Sequence, residues 1–277
     1  MSELLAREFE NGGKYYVSPQ LLICSNVGHG FFTRLGGVSK GVYESLNFRF
    51  TGTDDRDAIA KNFAIAASVV GGQYDDVVRT CQKHTDVIGV VRERGGGFRQ
   101  VGAPEGCDAL MTNVPGVVLA GFYADCQLIL LCDRAHGAVA VVHSGWRGVA
   151  NGILDKTITR MGEEYGTQPK NLIAAVSPSI CRRCFETDDD VKEILFEIYQ
   201  DHVPDYFYRE GNKWHIDLKM LTYSSMLRMG LQPYNIDIST LCPCCGDEHE
   251  FWSHRRQGGE ARGVHAGMIM VKEHHIQ

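Results

Sequence analysis

Cys126 and His143 carry the side chains best suited to chemistry in this chain. Cys126 closes the run Ala124-Asp125-Cys126, and His143 opens the run His143-Ser144-Gly145-Trp146-Arg147-Gly148. Both stand at the ends of apolar runs: Val117 to Tyr123, Leu128 to Cys132 and Ala138 to Val142 read as three buried strands. Strand ends fixed by a sheet hold a side chain to the tolerance that metal coordination or nucleophilic attack requires. A third residue joins them, because His84 follows the short run Asp76-Val77-Val78, and Ile88 to Val91 continues as a strand beyond it. Taken singly, a Cys or His at such a place favours a structural role, since free Cys is among the most buried residue types. Taken together, His84, Cys126 and His143 form a two-imidazole, one-thiolate set. That set suits zinc, and three protein ligands with a fourth position open is the catalytic form of a zinc site. No two of the three lie within a short coordination motif, so spacing by itself leaves the assignment open.

The elements that must position these residues belong to an ordinary globular chain. Its 277 residues, 44% hydrophobic, are enough to bury a sizeable core. No apolar run reaches the ~18 residues of a membrane span. The net charge of −6 argues against a general nucleic-acid binder, whose footprint is basic. Met1 to Tyr15 is mixed and charged, unlike a secretory leader. Ten cysteines in such a chain read as thiols or metal ligands rather than disulfides, and the expected location is the cytoplasm.

Strands and helices alternate along the chain without repeats or a composition break, which predicts one α/β domain over 1–277 with a mixed sheet. Leu21 to His29 reads as the first strand, followed by a glycine-rich turn at Gly36-Gly37 with Arg34, Ser39 and Asn47 around it, a plain loop or a ligand cradle. Asp54 to Val70 has helical periodicity and stops at Gly71-Gly72. A second helix is expected from Gly148 to about Tyr165, with its N–H groups aimed toward His143. Arg92 to Gly106, with five glycines and three arginines, reads as a flap or solvated loop. Asn171 to Val176 and Ile236 to Ser239 read as strands, Asp188 to Gln200 and Asp217 to Met229 as helices, and Met268 to Lys272 as the last strand. Cys181-x-x-Cys184 and the Cys242-Pro243-Cys244-Cys245 loop invite a zinc-ribbon reading. Their separation of roughly 58 positions, against ~15–20 in ribbon motifs, assigns them instead to loop or packing roles and leaves about one zinc per chain. On those grounds, replacing Cys181 or Cys244 by Ser should leave metal content unchanged.

Asp108-Ala109-Leu110-Met111-Thr112, Ala124-Asp125-Cys126 and His143-Ser144-Gly145-Trp146-Arg147-Gly148 together resemble the signature of the YfiH-like family. Its members are described as multicopper polyphenol oxidoreductases of laccase type, as purine nucleoside phosphorylases and as peptidoglycan editing factors. The resemblance extends to Arg34-Leu35-Gly36-Gly37-Val38-Ser39 with Tyr43-Glu44-Ser45-Leu46-Asn47, and to Phe251-Trp252-Ser253-His254-Arg255-Arg256, covering about residues 29 to 272. It implies a central β-sandwich or bent sheet flanked by helices, and a metal triad at His84, Cys126 and His143. This chain departs from the family pattern at Lys83-His84-Thr85, at Gln127 after Asp-Cys, and at Asn62-Phe63.

The resemblance implies a zinc-dependent enzyme with a small-molecule substrate, a purine nucleoside with phosphate, and no nucleic-acid or membrane partner. Phosphorolysis and adenosine deamination are the two reactions. Cys126 and His143 are the expected catalytic residues, with Asp125 orienting a histidine or carrying a proton. Arg34, Asn47, Arg147 and Arg255 are the expected substrate or phosphate ligands. Three alternatives stand beside this reading: a Cys126–His143 amide hydrolase acting on cell-wall precursors, a copper polyphenol oxidase, and a non-catalytic zinc-binding module.

Overall fold

A computed structural model describes residues 2–94, 105–199, 204–258 and 262–273. The chain opens with a hairpin, β1 (Leu5–Phe9) and β2 (Gly13–Val17), then a short helix α1 (Pro19–Leu22) and β3 (Val27–Phe32). The hairpin has no counterpart in the sequence reading, because β1 lies almost entirely exposed and so lacks an apolar alternation. The segment read as one strand from Leu21 divides into α1, whose N-cap Ser18 accepts from Leu21 N–H, and β3.

After α2 (Arg56–Val70) come two short strands, β4 (Val77–Arg79) and β5 (Ile88–Val90), and then β6 (Ala109–Thr112). Three longer strands follow: β7 (Val118–Tyr123), β8 (Gln127–Asp133) and β9 (Ala138–Ser144). The helix expected after His143 is two helices, α3 (Trp146–Asn151) and α4 (Ile153–Tyr165). Gly152 between them sits at φ 66°, a left-handed conformation that ends one helix and begins the next. β10 (Leu172–Val176), β11 (Glu186–Thr187) and α5 (Asp189–Tyr199) lead to the hairpin β12 (Phe207–Glu210) and β13 (Lys213–Ile216). Then come α6 (Leu218–Met229), β14 (Ile236–Ile238), α7 (His254–Gln257) and β15 (His265–Val271).

The strands form two six-stranded mixed sheets, ordered β1-β2-β3-β15-β7-β4 and β14-β10-β8-β9-β6-β5, with a small third sheet β11-β13-β12. The single mixed sheet expected from alternation is thus two sheets face to face, the sandwich that the family resemblance implied. Alternation along β8 builds the layers. Leu128 and Leu130 face Phe31, Leu119, Val141 and Ile269 between the sheets. Ile129 and Leu131 face outward against Ile153, Ile158, Met161 and Met226 of α4 and α6. On the other outer face, Ile59, Phe63, Ala66 and Val70 of α2 cover Phe32, Val118, Ala120 and Met268. Both faces of β8 and β9 are therefore covered, so every residue of the two strands is buried. Most of the segment read as a flap, residues 95–104, lies outside the described residues.

Candidate metal centre

The two sheets deliver the three ligand residues to one end of the sandwich. Cys126 occupies the turn joining β7 to β8, His143 is the penultimate residue of β9, and His84 lies in the loop between β4 and β5. β8 and β9 are antiparallel, pairing Leu128 with His143, so the turn before β8 and the end of β9 meet. The ligand atoms of His84, Cys126 and His143 all lie within 4.8 Å of one another, and Cys126 Sγ is 3.8 Å from His84 Nε2. Zinc bound tetrahedrally, at ~2.3 Å from sulfur and ~2.0–2.1 Å from nitrogen, puts such pairs ~3.5 Å apart, so the donor set fits the ion with small adjustment.

A carboxylate that the sequence reading left without a role organises the site. Asp108 is fully buried at the start of β6. Its Oδ1 accepts from His143 Nδ1 at 2.7 Å and from the His84 N–H at 3.1 Å, while its Oδ2 accepts from the N–H groups of Lys83 and Thr85 and from Thr85 Oγ1. Its carbonyl also accepts from the His143 N–H. Occupying Nδ1 leaves Nε2 of His143 as the ligand nitrogen, the usual carboxylate–histidine–metal arrangement. The same carboxylate holds the His84 loop, whose backbone at His84 stands at φ 58°. A buried carboxylate holding two ligand residues leaves no periodic trace in sequence; its signals are its position directly before the apolar run Ala109 to Met111 and its place at the head of the signature segment Asp108 to Thr112.

Electrostatics in the metal-free protein favour the ligand form of the cysteine. Burial pushes the Cys126 thiol up, but hydrogen bonding to His143 and His84 outweighs it and brings the pKa down to about 6. Burial pulls His143 down, and Asp108 and Cys126 outweigh it, raising the imidazole to about 9. Burial likewise raises Asp108, yet His143 and the loop N–H groups leave its carboxyl below the usual value. A thiolate and an imidazolium therefore sit side by side, poised to exchange a proton for a metal ion.

Gly145 forms the floor between the ligands. A Cβ at this position would lie 2.9 Å from Cys126 Sγ and 3.1 Å from His84 Cδ2, with no room for either to retreat without leaving the triad. If the triad holds a metal ion, Gly145→Ala is expected to lower its occupancy at this site at least tenfold while leaving far-ultraviolet circular dichroism unchanged; undiminished metal content by elemental analysis would contradict this geometry.

A cavity of about 530 Å³ adjoins the triad, a size typical of small-molecule sites. Phe122, Tyr123, Trp146 and Phe185 supply aromatic faces, and Gln82, Arg147, His254, Arg255 and Arg262 supply polar groups. Arg147 is exposed, stacks on Trp146 at 4.2 Å and lines the cavity, as does Arg255. Arg255 is in addition tied to the carbonyls of Cys184 and Glu186.

Three of the expected residues have polar atoms engaged within the fold. Arg34 gives its guanidinium to the carbonyls of Glu44 and Glu248, stacks on Trp252 at 3.8 Å, and is not among the residues that line the cavity. Asn47 is fully buried, bonded to Asp54, Arg49 and Val264, and is also absent from the cavity lining. Asp125 lines the cavity, but its carboxylate accepts from Ser253 Oγ and the Arg255 N–H rather than from a ligand histidine, so it anchors the C-terminal loop at a strained φ of 88°. Sequence reading missed Arg262. It faces the same cavity with a buried Nε that has no partner among the described residues, while its other nitrogens meet Gly263 O and His254 Nδ1.

The structure is thus a two-sheet sandwich with a His-Cys-His set that could hold a metal ion, at the mouth of an aromatic and basic cavity. The chain belongs to the family described as multi-copper polyphenol oxidoreductase laccase, whose model matches residues 28–272. It is 30% identical over 253 residues to a purine nucleoside phosphorylase of Bacteroides thetaiotaomicron, covering 90% of this chain and 93% of that protein. It is 34% identical over 238 residues to adenosine deaminase RL5 of an unknown prokaryotic organism, covering 82% of this chain and 88% of that one. The crystal structure of YlmD from Geobacillus stearothermophilus superposes with a TM-score of 0.88 at 28% identity, covering 98% of this chain and all of that chain. Among the described residues, no helix is long and apolar enough to cross a membrane.

Proposed function

We propose that this chain is a single catalytic unit that acts on purine nucleosides with zinc held by His84, Cys126 and His143. The observation that carries the reading is the three-ligand set opening onto an aromatic and basic cavity, and the names of the relatives support the substrate class. The bound ion would supply positive charge that polarises phosphate or water at the reacting centre. Around it, Asp108 fixes the tautomer of His143 and the position of His84. Phe122, Trp146 and Phe185 offer flat apolar faces to a purine ring. Arg147, Arg255 and Arg262 offer planar donors to phosphate. In phosphorolysis, a phosphate oxygen forms a bond to the anomeric carbon as the bond from that carbon to the base breaks, giving ribose 1-phosphate and the free base. In deamination, water replaces the exocyclic amine of adenosine, which leaves as ammonia. Incubation with adenosine, inosine or methylthioadenosine, with and without phosphate, tests this. The expected result is phosphate-dependent release of free base, resolved by chromatography, and no turnover of any of them would contradict the reading.

A second reading rests on one geometric observation. Cys126, His143 and Asp108 stand in the order of a thiolate, an imidazole and an orienting carboxylate, the arrangement of a cysteine hydrolase. Under that reading His84 has no essential role. The copper oxidase reading finds less support, because the groups of His, Cys, Asp and Glu close enough to hold a metal among the described residues comprise this triad and one cluster made of cysteines.

A further inference from the structure

Cys181, Cys184, Cys242 and Cys245 come together although they are far apart in sequence. β10 and β14 are parallel neighbours, so the loops that follow them leave the sheet at the same end. Ser179 N–H donates to Leu241 O, and Ser239 N–H to Val176 O, stitching one loop to the other. Each loop carries a Cys-x-x-Cys turn, and the four sulfurs lie within 4.8 Å of one another. The spacing argument that kept these residues apart failed because ribbon motifs bring their halves together by a hairpin, whereas here a parallel pair of strands does it. Cys244 is not one of the four, so the partner of Cys242 in the second turn is Cys245.

We propose that these four cysteines hold a second, structural zinc ion. A tetrahedron with Zn–S bonds of ~2.3 Å has edges of ~3.8 Å, and Cys181 Sγ lies 3.8 Å from Cys245 Sγ. Four sulfurs so close leave room for one ion and too little for an iron–sulfur cluster. All ten cysteines are free thiols, so no disulfide competes for these sulfurs. The surroundings suit a site with two net negative charges. The Cys181 N–H donates to Cys242 Sγ at 3.3 Å, Arg183 reaches Cys184 and Cys245, and buried Lys219 donates to Ser239 O and Leu241 O beside the thiols. Gly246 completes the second turn, since a Cβ there would lie 2.5 Å from Cys242 O. Binding displaces the thiol protons and closes the site with four protein ligands, leaving no open position for substrate.

This site has a consequence for the cavity. Ile180, Phe185 and Thr187 flank the Cys181–Cys184 turn and line the cavity, and Arg255 is hydrogen-bonded to Cys184 O. A zinc clip at the loop bases would thus hold one wall of the active site.

Elemental analysis of reduced protein and its variants tests the proposal. The wild type is expected to carry two zinc ions per chain. The double variant His84→Ala/Cys126→Ala should keep one, and Cys245→Ser, at the most exposed of the four positions, should also keep one. No zinc in the double variant, or no loss of a zinc on Cys245→Ser, overturns the proposal, as does iron in place of zinc. If Cys245→Ser does not fold, the double variant reconstituted with cobalt(II) decides: strong sulfur-to-cobalt charge-transfer absorption supports four thiolates, and its absence refutes them. Because the double variant lacks the catalytic triad, loss of activity does not enter the result, and failure of this site is separable from failure of the catalytic reading.

Discussion

His84→Ala is expected to abolish nucleoside turnover as fully as Cys126→Ala, lowering kcat/KM by at least about 10³-fold. Each change removes one of three protein ligands, and a site left with two binds the metal too weakly to keep it at ordinary concentrations. His84 is the more informative of the two, because it is exposed and lies in a loop outside the sandwich core, so its truncation disturbs little packing. A cysteine hydrolase built on Cys126, His143 and Asp108 would tolerate the loss of His84 with only a small change in rate. Steady-state kinetics of both variants, with zinc counted in parallel, separates the two chemistries. Equal and severe losses support metal catalysis, whereas a mild His84 phenotype beside a dead Cys126 variant refutes it.

Asp108→Ala is expected to be nearly as damaging through a different route. The change strands the N–H groups of Lys83, His84 and Thr85 and the Nδ1 of His143, all of which converge on this buried carboxylate. Losing a partner that orients a metal ligand commonly weakens metal affinity ~10–100-fold. Removing one member of a buried charged pair adds about 3–5 kcal/mol of destabilisation, a fall in melting temperature on the order of 10 °C for a chain of this size. Competition with a chelator measures the first effect and calorimetry the second. Asp108→Asn keeps the shape and one acceptor oxygen, so it should recover part of the stability but little of the metal affinity. Unchanged zinc affinity in both variants would remove Asp108 from the site.

Much of this arrangement was legible in the sequence, and the failures share a physical cause. Cys126 and His143 were readable because each borders an apolar run, and a strand end is a local property, whereas His84 lies mid-loop between β4 and β5 and not at the strand end expected of it. Helices α2 and α6 were readable from their periodicity and from the glycines Gly71 and Gly230 that end them. The sandwich was not readable from periodicity, since β15 pairs with both β3 and β7, partners distant in the chain. The partners of Arg34 and Asn47 were not legible, because residue type reveals a donor and not whether backbone carbonyls or carboxylates already engage it. Arg262 was overlooked, and Asp108 was left without a role although it heads a signature segment, for the converse reason: their partners are brought in by tertiary structure. The cluster of four cysteines is the clearest case: about 58 positions separate its halves in sequence, and one parallel strand pair brings them together.

The most direct test of the catalytic reading is the rate of wild-type protein stripped of metal by prolonged chelation and verified metal-free by elemental analysis. The account predicts that phosphate-dependent release of base from adenosine or inosine falls to background, and that added zinc restores it. Retention of most of the rate by the metal-free protein, with Cys126 now open to alkylation, would contradict the zinc mechanism and assign the chemistry to the thiolate.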